Sequence, residues 1–147
     1  MDNSKYDGLK LENQLCFPLY AASRVIIKQY HPHLEALGLT YTQYIAMMVF
    51  WEKGTISVKE LCKLLFLDSG TLTSVLKSLE TKGYIRRYRY DKDERVLMID
   101  ITDEGNALRE RALEIPEKIS SCVSLKPEQA LQLYKLLYQV LETFKEE

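Results

Sequence analysis

The segment from Asp68 to Thr102 constrains the fold more than any other part of the chain. It opens with an aspartate and a run of short polar residues, after which apolar residues recur at helical spacing, at Leu72, Val75, Leu76 and Leu79. Gly83 follows directly, as glycine often does just after a helix ends. Two stretches with the composition of strands, 84–90 and 96–101, then flank the charged residues 91–95. The pattern predicts one helix capped by Asp68, followed by a β-hairpin.

A second short helix is predicted just before this one. The residues Ser57 to Glu60 have the spacing of a capping box, in which a hydroxyl and a carboxylate satisfy backbone donors at a helix start. The residues Thr40 to Gln43 form another capping box and open an apolar helix that we expect to run to about Glu52. Two short helices joined by a tight turn make a helix-turn-helix, and the hairpin supplies a wing. We therefore interpret residues 40–101 as a winged helix-turn-helix DNA-binding core.

Amphipathic helices are predicted on both sides of this core. Apolar residues recur at helical spacing from Leu11 and stop near Pro32, because proline disfavours helix in the residue before it. Thr102 caps a later helix, Pro116 should kink or break it, and Pro127 suits the first position of the final helix. We expect a mainly α single unit, 1–147, with a small β-hairpin, in which helices within 9–31 and 103–145 dimerise. A two-fold dimer would place two recognition helices one DNA turn apart.

Charge is balanced over the chain but unevenly distributed. Lys and Arg number 20 against 21 Asp and Glu, so bulk charge does not indicate a nucleic-acid binder. Residues 68–95 nevertheless hold seven cations against five anions, whereas residues 103–147 hold six cations against nine anions. Any attraction to DNA must therefore be local to the predicted helix and hairpin.

Candidate DNA contacts come from both parts of this segment. At the start of the helix, short polar side chains suit the major groove, and their hydroxyls can reach phosphates and base edges: Asp68, Ser69, Thr71 and Thr73. Lys77 is placed for a phosphate, and Arg87 adds a cation on the outgoing strand. Arg95 could enter the minor groove with Asp93 orienting its guanidinium. The alternative is that these are solvated residues on a surface used for protein contacts.

Several classes of function are disfavoured. The N-terminus has no basic-then-apolar leader, and the longest apolar run, 44–51, is too short for a membrane span, so we expect a cytoplasmic protein that does not bind membranes. Three widely spaced cysteines fit neither a disulfide framework nor a CxxC metal site. His31 and His33 lack ligand partners, so we expect no metal and no cofactor. Cys62 lies on an apolar stripe and is expected to pack in the core, and from the residues alone Cys16 reads as a buried small hydrophobe.

Two sets of residues resemble a known family. The residues 68–73, Asp93-Glu94-Arg95 and 99–102 resemble the MarR family of winged-helix repressors, whose wing carries an Asp-x-Arg motif. The segment from Leu11 to Phe17 and the segment from Leu39 to Tyr41 are similar to the organic hydroperoxide-sensing subgroup of OhrR and SarZ type. The resemblance implies a homodimeric repressor, not an enzyme, on a pseudo-palindromic operator of double-stranded DNA.

The resemblance also implies a redox site. Cys16 would be the reactive thiol, held by the hydroxyls of Tyr30 and Tyr41 from the partner subunit, because phenolic donors stabilise a thiolate. An organic hydroperoxide would oxidise it to a sulfenic acid, which condenses with a second thiol. That thiol would be either Cys122 of the other subunit or a low-molecular-weight cellular thiol.

Some alternatives remain open at this point. Pro18 either kinks the first helix or lies in its first turn, and in the second case Cys16 stands at the helix N-terminus, where the dipole favours a thiolate. A regulator controlled by a small phenolic or lipophilic ligand would leave Cys16 structural. A thiol peroxidase would consume peroxide catalytically, and a protein-interaction module would not bind an operator at any salt concentration.

Overall fold

The computed structural model describes residues 4–145, so the outermost residues of the predicted unit 1–147 lie outside it. Two short 3-10 turns, Ser4–Leu9 and Leu11–Asn13, precede the first α-helix. The described elements then follow in the order α1 (Cys16–Glu35), α2 (Tyr41–Lys53), β1 (Thr55–Ser57), α3 (Val58–Leu65), α4 (Ser69–Thr81), β2 (Ile85–Tyr90), β3 (Asp93–Ile101), α5 (Asp103–Ala112), α6 (Ile115–Ser120) and α7 (Pro127–Glu142). This is the predicted mainly helical winged helix-turn-helix.

Capping chemistry fixes most helix starts where the sequence predicts them. Thr40 and Ser57 both form complete capping boxes, at the starts of α2 and α3. The Asp68 and Thr102 side chains accept backbone hydrogen bonds at the starts of α4 and α5. Gly83 follows α4 with a φ of +80°, a conformation that glycine adopts without a steric penalty.

The sheet has three antiparallel strands rather than the two that were predicted. The strand order is β1-β3-β2, and β1 pairs Ile56 with Ile99 at the centre of the domain. Only three residues long, β1 is too short to show an alternating pattern in the sequence. The wing is also longer than predicted, because β3 begins at Asp93 and leaves a turn of two residues, 91–92.

The first helix agrees with one of the two alternatives at its start and differs from its prediction at its end. It begins at Cys16, so Pro18 lies in the first turn, where its missing N–H has no helical partner to lose. It also continues through Pro32 to Glu35. Leu34, Leu37 and Leu39 beyond the proline are buried to between 2% and 6% exposure, and at about 2 kcal/mol for each leucine their burial exceeds the roughly 3 kcal/mol that an interior proline costs. Core packing therefore carries the helix past Pro32.

The buried core joins the winged helix-turn-helix to the ends of α1 and α5. Its fully buried side chains come mainly from α2, α3, α4 and the sheet: Phe50, Met47, Leu61, Leu72, Leu76, Leu79 and Ile99. Pro116 stands near the start of α6 after a break from α5, as predicted. Helix α7 has no buried residue, and α1 has only Leu34.

The N- and C-terminal helices therefore carry apolar side chains that nothing covers within the protomer. On α1 and the turn before it these include Leu15, Leu19, Tyr20 and Val25, and on α7 they include Leu131, Tyr134, Leu136 and Val140. Among the described helices, none is both long enough and apolar enough to cross a bilayer.

Candidate DNA-binding surface and thiol site

The start of α4 is held rigidly by Asp68. Its Oδ1 accepts a hydrogen bond of 2.6 Å from the backbone N–H of Thr71, and this bond lowers the pKa of Asp68. The Thr73 hydroxyl donates to the Ser69 carbonyl at 2.7 Å, which closes the first turn. Ser69, Thr71 and Thr73 are all exposed, as is Lys77 on the next turns. The helix thus presents a preformed polar N-terminus to its surroundings.

The tip of the wing presents an arginine whose direction is fixed. The Asp93 carboxylate accepts from Arg95 Nε at 3.0 Å and from Arg95 Nη2 at 3.2 Å, and it also accepts from the Arg95 backbone N–H at 3.1 Å. The side-chain hydrogen bonds from Arg95 hold the pKa of Asp93 below its ordinary value. The Arg95 side chain is 91% exposed. The predicted orientation of Arg95 by Asp93 is therefore present before any DNA is bound.

Arg87 is placed differently from the other candidate DNA contacts. Its guanidinium pairs with the Glu80 carboxylate at 3.1 Å, and its backbone N–H donates to the same carboxylate at 2.9 Å. Its Nε is buried without a hydrogen-bond partner, and its side chain is only 23% exposed. These contacts join β2 to α4. Arg87 therefore connects the wing to the recognition helix and does not offer an exposed charge to DNA.

A carboxylate on β3 ties the three strands together. Asp100 accepts hydrogen bonds from Thr55 on β1 at 2.8 Å and from Arg86 and Tyr88 on β2, each at 3.1 Å. Burial raises the pKa of Asp100, but these three hydrogen bonds outweigh it and leave the pKa below its ordinary value. These hydrogen bonds therefore fix the wing strands β2 and β3 to β1 and to the rest of the domain.

Cys16 is the first residue of α1 and is exposed in the protomer, not buried as the residues alone suggested. In the described part of its own protomer, the thiol has no hydrogen-bond partner. Its position at the helix N-terminus corresponds to the second alternative left open by Pro18, in which the proline lies in the first turn of α1. An open cleft of about 500 Å³ is lined by Lys10, Leu11, Glu12 and Phe17, and Phe17 directly follows Cys16 in the chain.

The two predicted tyrosines lie together, far from Cys16 of the same chain. The rings of Tyr30 and Tyr41 meet edge to face with centroids 5.0 Å apart, and Tyr44 packs against both. Burial raises the pKa of each of these phenols, so all three remain protonated donors at neutral pH. Tyr30 follows Cys16 by fourteen residues on one helix, which separates them by roughly 21 Å. A thiolate at Cys16 can meet these phenols only if a second chain supplies them.

The other two cysteines have different surroundings. Cys122 is exposed just after α6, where its thiol donates to the Lys118 carbonyl at 3.3 Å. Cys62 is half-buried against the core, as predicted, and burial, followed by the nearby charge of Asp68, raises its pKa. Within residues 4–145, no three His, Cys, Asp or Glu side chains come together as metal ligands.

Comparison with known proteins decides the family. Residues 28–111 match the family model of the transcriptional regulators SarA and Rot. A Bacillus subtilis protein named organic hydroperoxide resistance transcriptional regulator is 48% identical over 143 residues, 97% of each chain. The chain belongs to the MarR/SarA family of winged-helix transcriptional regulators. The resemblance inferred from the sequence is confirmed, and the alternative of a thiol peroxidase loses its support.

Further members of the MarR/SarA family cover much of the chain. The Staphylococcus aureus regulator SarZ is 45% identical over 109 residues, 74% of each chain. The structure of reduced AbfR bound to DNA superimposes with a TM-score of 0.79 at 34% identity, covering 97% of this chain and 99% of that one. AbfR of Staphylococcus epidermidis has also been solved in a disulfide-containing form, with a TM-score of 0.67 and 35% identity over 99% of this chain.

Sequence reasoning missed two features of this MarR/SarA regulator. Tyr44 is the most buried of the three packed tyrosines, with 3% exposure, but its position in an apolar run suggested only core packing. Gln43 is the one buried polar side chain among the described residues. Its role as the third residue of a capping box was predicted, and that role gave no sign that its amide also contacts α4.

Proposed function

We propose that this regulator is a homodimer that binds a pseudo-palindromic operator and leaves it when an organic hydroperoxide oxidises Cys16. The observation that carries the proposal is the separation of Cys16 from Tyr30 and Tyr41 within one protomer. An exposed thiol at a helix N-terminus and a set of buried phenols elsewhere form a sensing site only when two copies of the chain meet.

The uncovered helices supply a reason for the dimer. Helix α7 has no buried residue in the protomer, and its apolar side chains such as Leu131 and Val140 are about half exposed. Together with the exposed apolar side chains of α1, which carries Cys16, an apolar face of this extent favours a symmetric interface that includes both thiols. The ranges 9–31 and 103–145, predicted to dimerise, contain most of α1 and all of α5 to α7.

The proposed chemistry is a two-electron transfer. The Cys16 thiolate attacks one oxygen of the hydroperoxide, an S–O bond forms, and the O–O bond breaks. The sulfur is oxidised to a sulfenic acid, and the peroxide is reduced to an alkoxide that leaves as an alcohol after taking a proton. Leu11 and Phe17 supply apolar surface in the cleft near the start of α1, which suits an organic rather than an inorganic peroxide.

A second thiol then completes the switch. The sulfenic acid condenses with a thiol, which forms a disulfide and releases water. Cys122 of the partner subunit is one candidate because it is exposed and follows the short helix α6. A low-molecular-weight cytoplasmic thiol is the other. Either adduct enlarges the side chain at Cys16 and disturbs the packing around it.

We assign the DNA contacts to the exposed N-terminus of α4 and to the exposed tip of the wing. The N-terminus of α4 would enter the major groove with Ser69, Thr71 and Thr73, while Asp68 holds that turn in shape. Lys77 would meet a phosphate, and Arg95, oriented by Asp93, would enter the minor groove. The ion pair with Glu80 makes a direct contact from Arg87 the least favoured of the predicted set.

The replacement Cys16→Ser tests the thiol mechanism. We expect the variant to bind the operator as the wild type does but to stay bound after treatment with tert-butyl hydroperoxide, because serine cannot be oxidised. Cys62→Ser is the matched control and should still release DNA, since that thiol is half-buried against the core. An unchanged response of Cys16→Ser would remove the thiol mechanism and favour control by a small phenolic or lipophilic ligand.

Intact mass under non-reducing conditions identifies the second thiol. After a few equivalents of the hydroperoxide, a species of twice the chain mass that disappears in Cys122→Ser would assign the resolving role to Cys122. A single chain that carries the mass of an added small thiol, in both the wild type and Cys122→Ser, would assign that role to the small thiol.

A further inference from the structure

A buried amide connects the start of α2 to the recognition helix. Gln43, the third residue of α2, is only 7% exposed. Its Oε1 accepts from the Thr40 backbone N–H at 3.1 Å, which completes the capping box, and it accepts a second hydrogen bond from Lys82 Nζ at 3.0 Å. Its Nε2 donates to the Ser78 hydroxyl at 3.0 Å. Both lone pairs of the amide oxygen are thus in use.

Lys82 strengthens the same connection from the other side. It directly follows α4, where a cation is favoured by the negative end of the helix dipole. Besides Gln43, its ammonium group donates to the carbonyl of Gly38 in the loop between α1 and α2. Lys82 and Ser78 therefore bind the C-terminal half of α4 to the segment 38–43. We call these four residues, Gly38, Gln43, Ser78 and Lys82, the polar bridge.

The polar bridge ends beside the phenols of the sensing site. Tyr41 stands two residues before Gln43 in the same first turn of α2, and its ring packs against Tyr30 at 5.0 Å. A displacement of Tyr41 would move the first turn of α2 and with it Gln43, whose side chain is hydrogen-bonded to Ser78 of α4. No other polar side chain among the described residues is buried, so this contact stands out from the apolar packing around it.

We propose that the polar bridge transmits the state of the thiol site to the recognition helix, with Gln43 and Lys82 as positioning residues. The inference rests on the proposed function, because it concerns the response to oxidation of Cys16. Leu76 and Leu79 of α4 already pack with Met47 of α2 in the fully buried core, so the fold does not depend on the bridge. Hydrogen bonds add a directional constraint, since they hold only over a narrow range of distance and angle.

The test compares operator affinities of reduced and oxidised protein for Lys82→Met. This change removes both hydrogen bonds of the ammonium group and leaves the Thr40 capping box intact. For each protein, the dissociation constant is measured before and after treatment with tert-butyl hydroperoxide and free cysteine, and the ratio of the two constants reports the coupling. Substitutions along a coupling network change such ratios by roughly 2- to 30-fold. We expect a decrease of that size for Lys82→Met.

Two further variants separate positioning from simpler effects. Lys77→Met removes the same charge from α4 at a position outside the bridge, so it should weaken binding in both redox states alike and leave the ratio unchanged. Lys82→Arg keeps a charged donor at the bridge and should restore most of the ratio. Thermal unfolding of each reduced variant should show little loss of stability, because Lys82 is exposed and the apolar core is intact.

The outcomes distinguish this inference from the proposed function. A wild type that releases DNA on oxidation, together with a Lys82→Met ratio equal to that of the wild type, would overturn the bridge and leave the thiol mechanism standing. Parallel losses in both redox states with a lower unfolding temperature would show a purely structural role and would overturn it as well. A wild type whose affinity does not respond to the oxidant would overturn both proposals.

Discussion

Gly105 is the position where a single added methyl group should do the most damage. It lies in the first turn of α5, where that helix passes the residue that precedes β2. A Cβ built on Gly105 would stand 2.1 Å from the carbonyl oxygen of Tyr84 and 3.0 Å from Ile101 Cγ1. Ordinary contacts of a Cβ lie at 3.4–4 Å, so the backbone would have to move by more than 1 Å.

The expected loss of stability can be estimated from these contacts. Overpacking against backbone, which no rotamer change relieves, costs about 3 kcal/mol. The shift would also weaken the hydrogen bond of 2.9 Å from Trp51 Nε1 to the Gly105 carbonyl, which costs about 1 kcal/mol. Alanine regains about 1 kcal/mol over glycine through helix propensity. The net loss for Gly105→Ala is about 3 kcal/mol, or roughly 6–12 °C in Tm for a chain of this size.

Thermal and urea unfolding followed by circular dichroism would measure this change. All proteins must be compared at one concentration, because the stability of a dimer depends on it. Gly8→Ala is the matched control, since nothing lies within 4 Å of its Cβ, and its effect should stay within about 0.5 kcal/mol. A loss below about 1 kcal/mol for Gly105→Ala would refute the reasoning, because it would mean that α5 and the backbone before β2 separate easily.

Two other predictions concern the wing. Arg95→Ala should weaken operator binding. If the guanidinium releases one counterion, the slope of log binding constant against log salt concentration should also become shallower by about one unit. An unchanged slope in a gel-shift salt series would contradict that role. Glu80→Gln should reduce the loss of stability on acidification, as measured by unfolding at several pH values. The hydrogen bonds from Arg87 lower the pKa of Glu80, so its stabilising effect is complete above the ordinary value of 4.5 and is lost as the pH falls through the lower folded value. Equal pH profiles for wild type and variant would contradict it.

Local capping chemistry explains why so many helix starts could be predicted. The side chains of Thr40, Ser57, Asp68 and Thr102 satisfy backbone donors within three residues of their own positions, so short stretches of sequence carry the whole signal. The passage of α1 through Pro32 could not be predicted in the same way. It depends on the burial of side chains beyond the proline against α2 and other distant parts of the chain.

The site contacts could be predicted where both residues lie close together in the sequence. They could not be predicted where the contact depends on how distant elements pack. The Asp93–Arg95 pair lies within two residues and forms as predicted. Arg87 looked like any other wing cation, and its burial depends on the approach of Glu80 from another element. Cys16 at a helix N-terminus was one of two alternatives, because the sequence does not show that the residues before it form 3-10 turns.

The loss of operator affinity on oxidation can be compared with the strain energy that overpacking at the interface would supply. Forcing a bulkier group into a packed interface costs about 1–3 kcal/mol per site, and a symmetric dimer has two such sites. If all of that strain is relieved when the two DNA-binding cores separate, about 2–6 kcal/mol acts against the DNA-bound geometry, which corresponds to roughly 30-fold to 20,000-fold in affinity. Because Cys16 lies on the face that α1 leaves uncovered in the protomer, its oxidised adduct would act where the two chains meet. In the proposed mechanism, strain at this interface would weaken operator binding, and contacts such as the polar bridge would keep α4 fixed to the segment that moves.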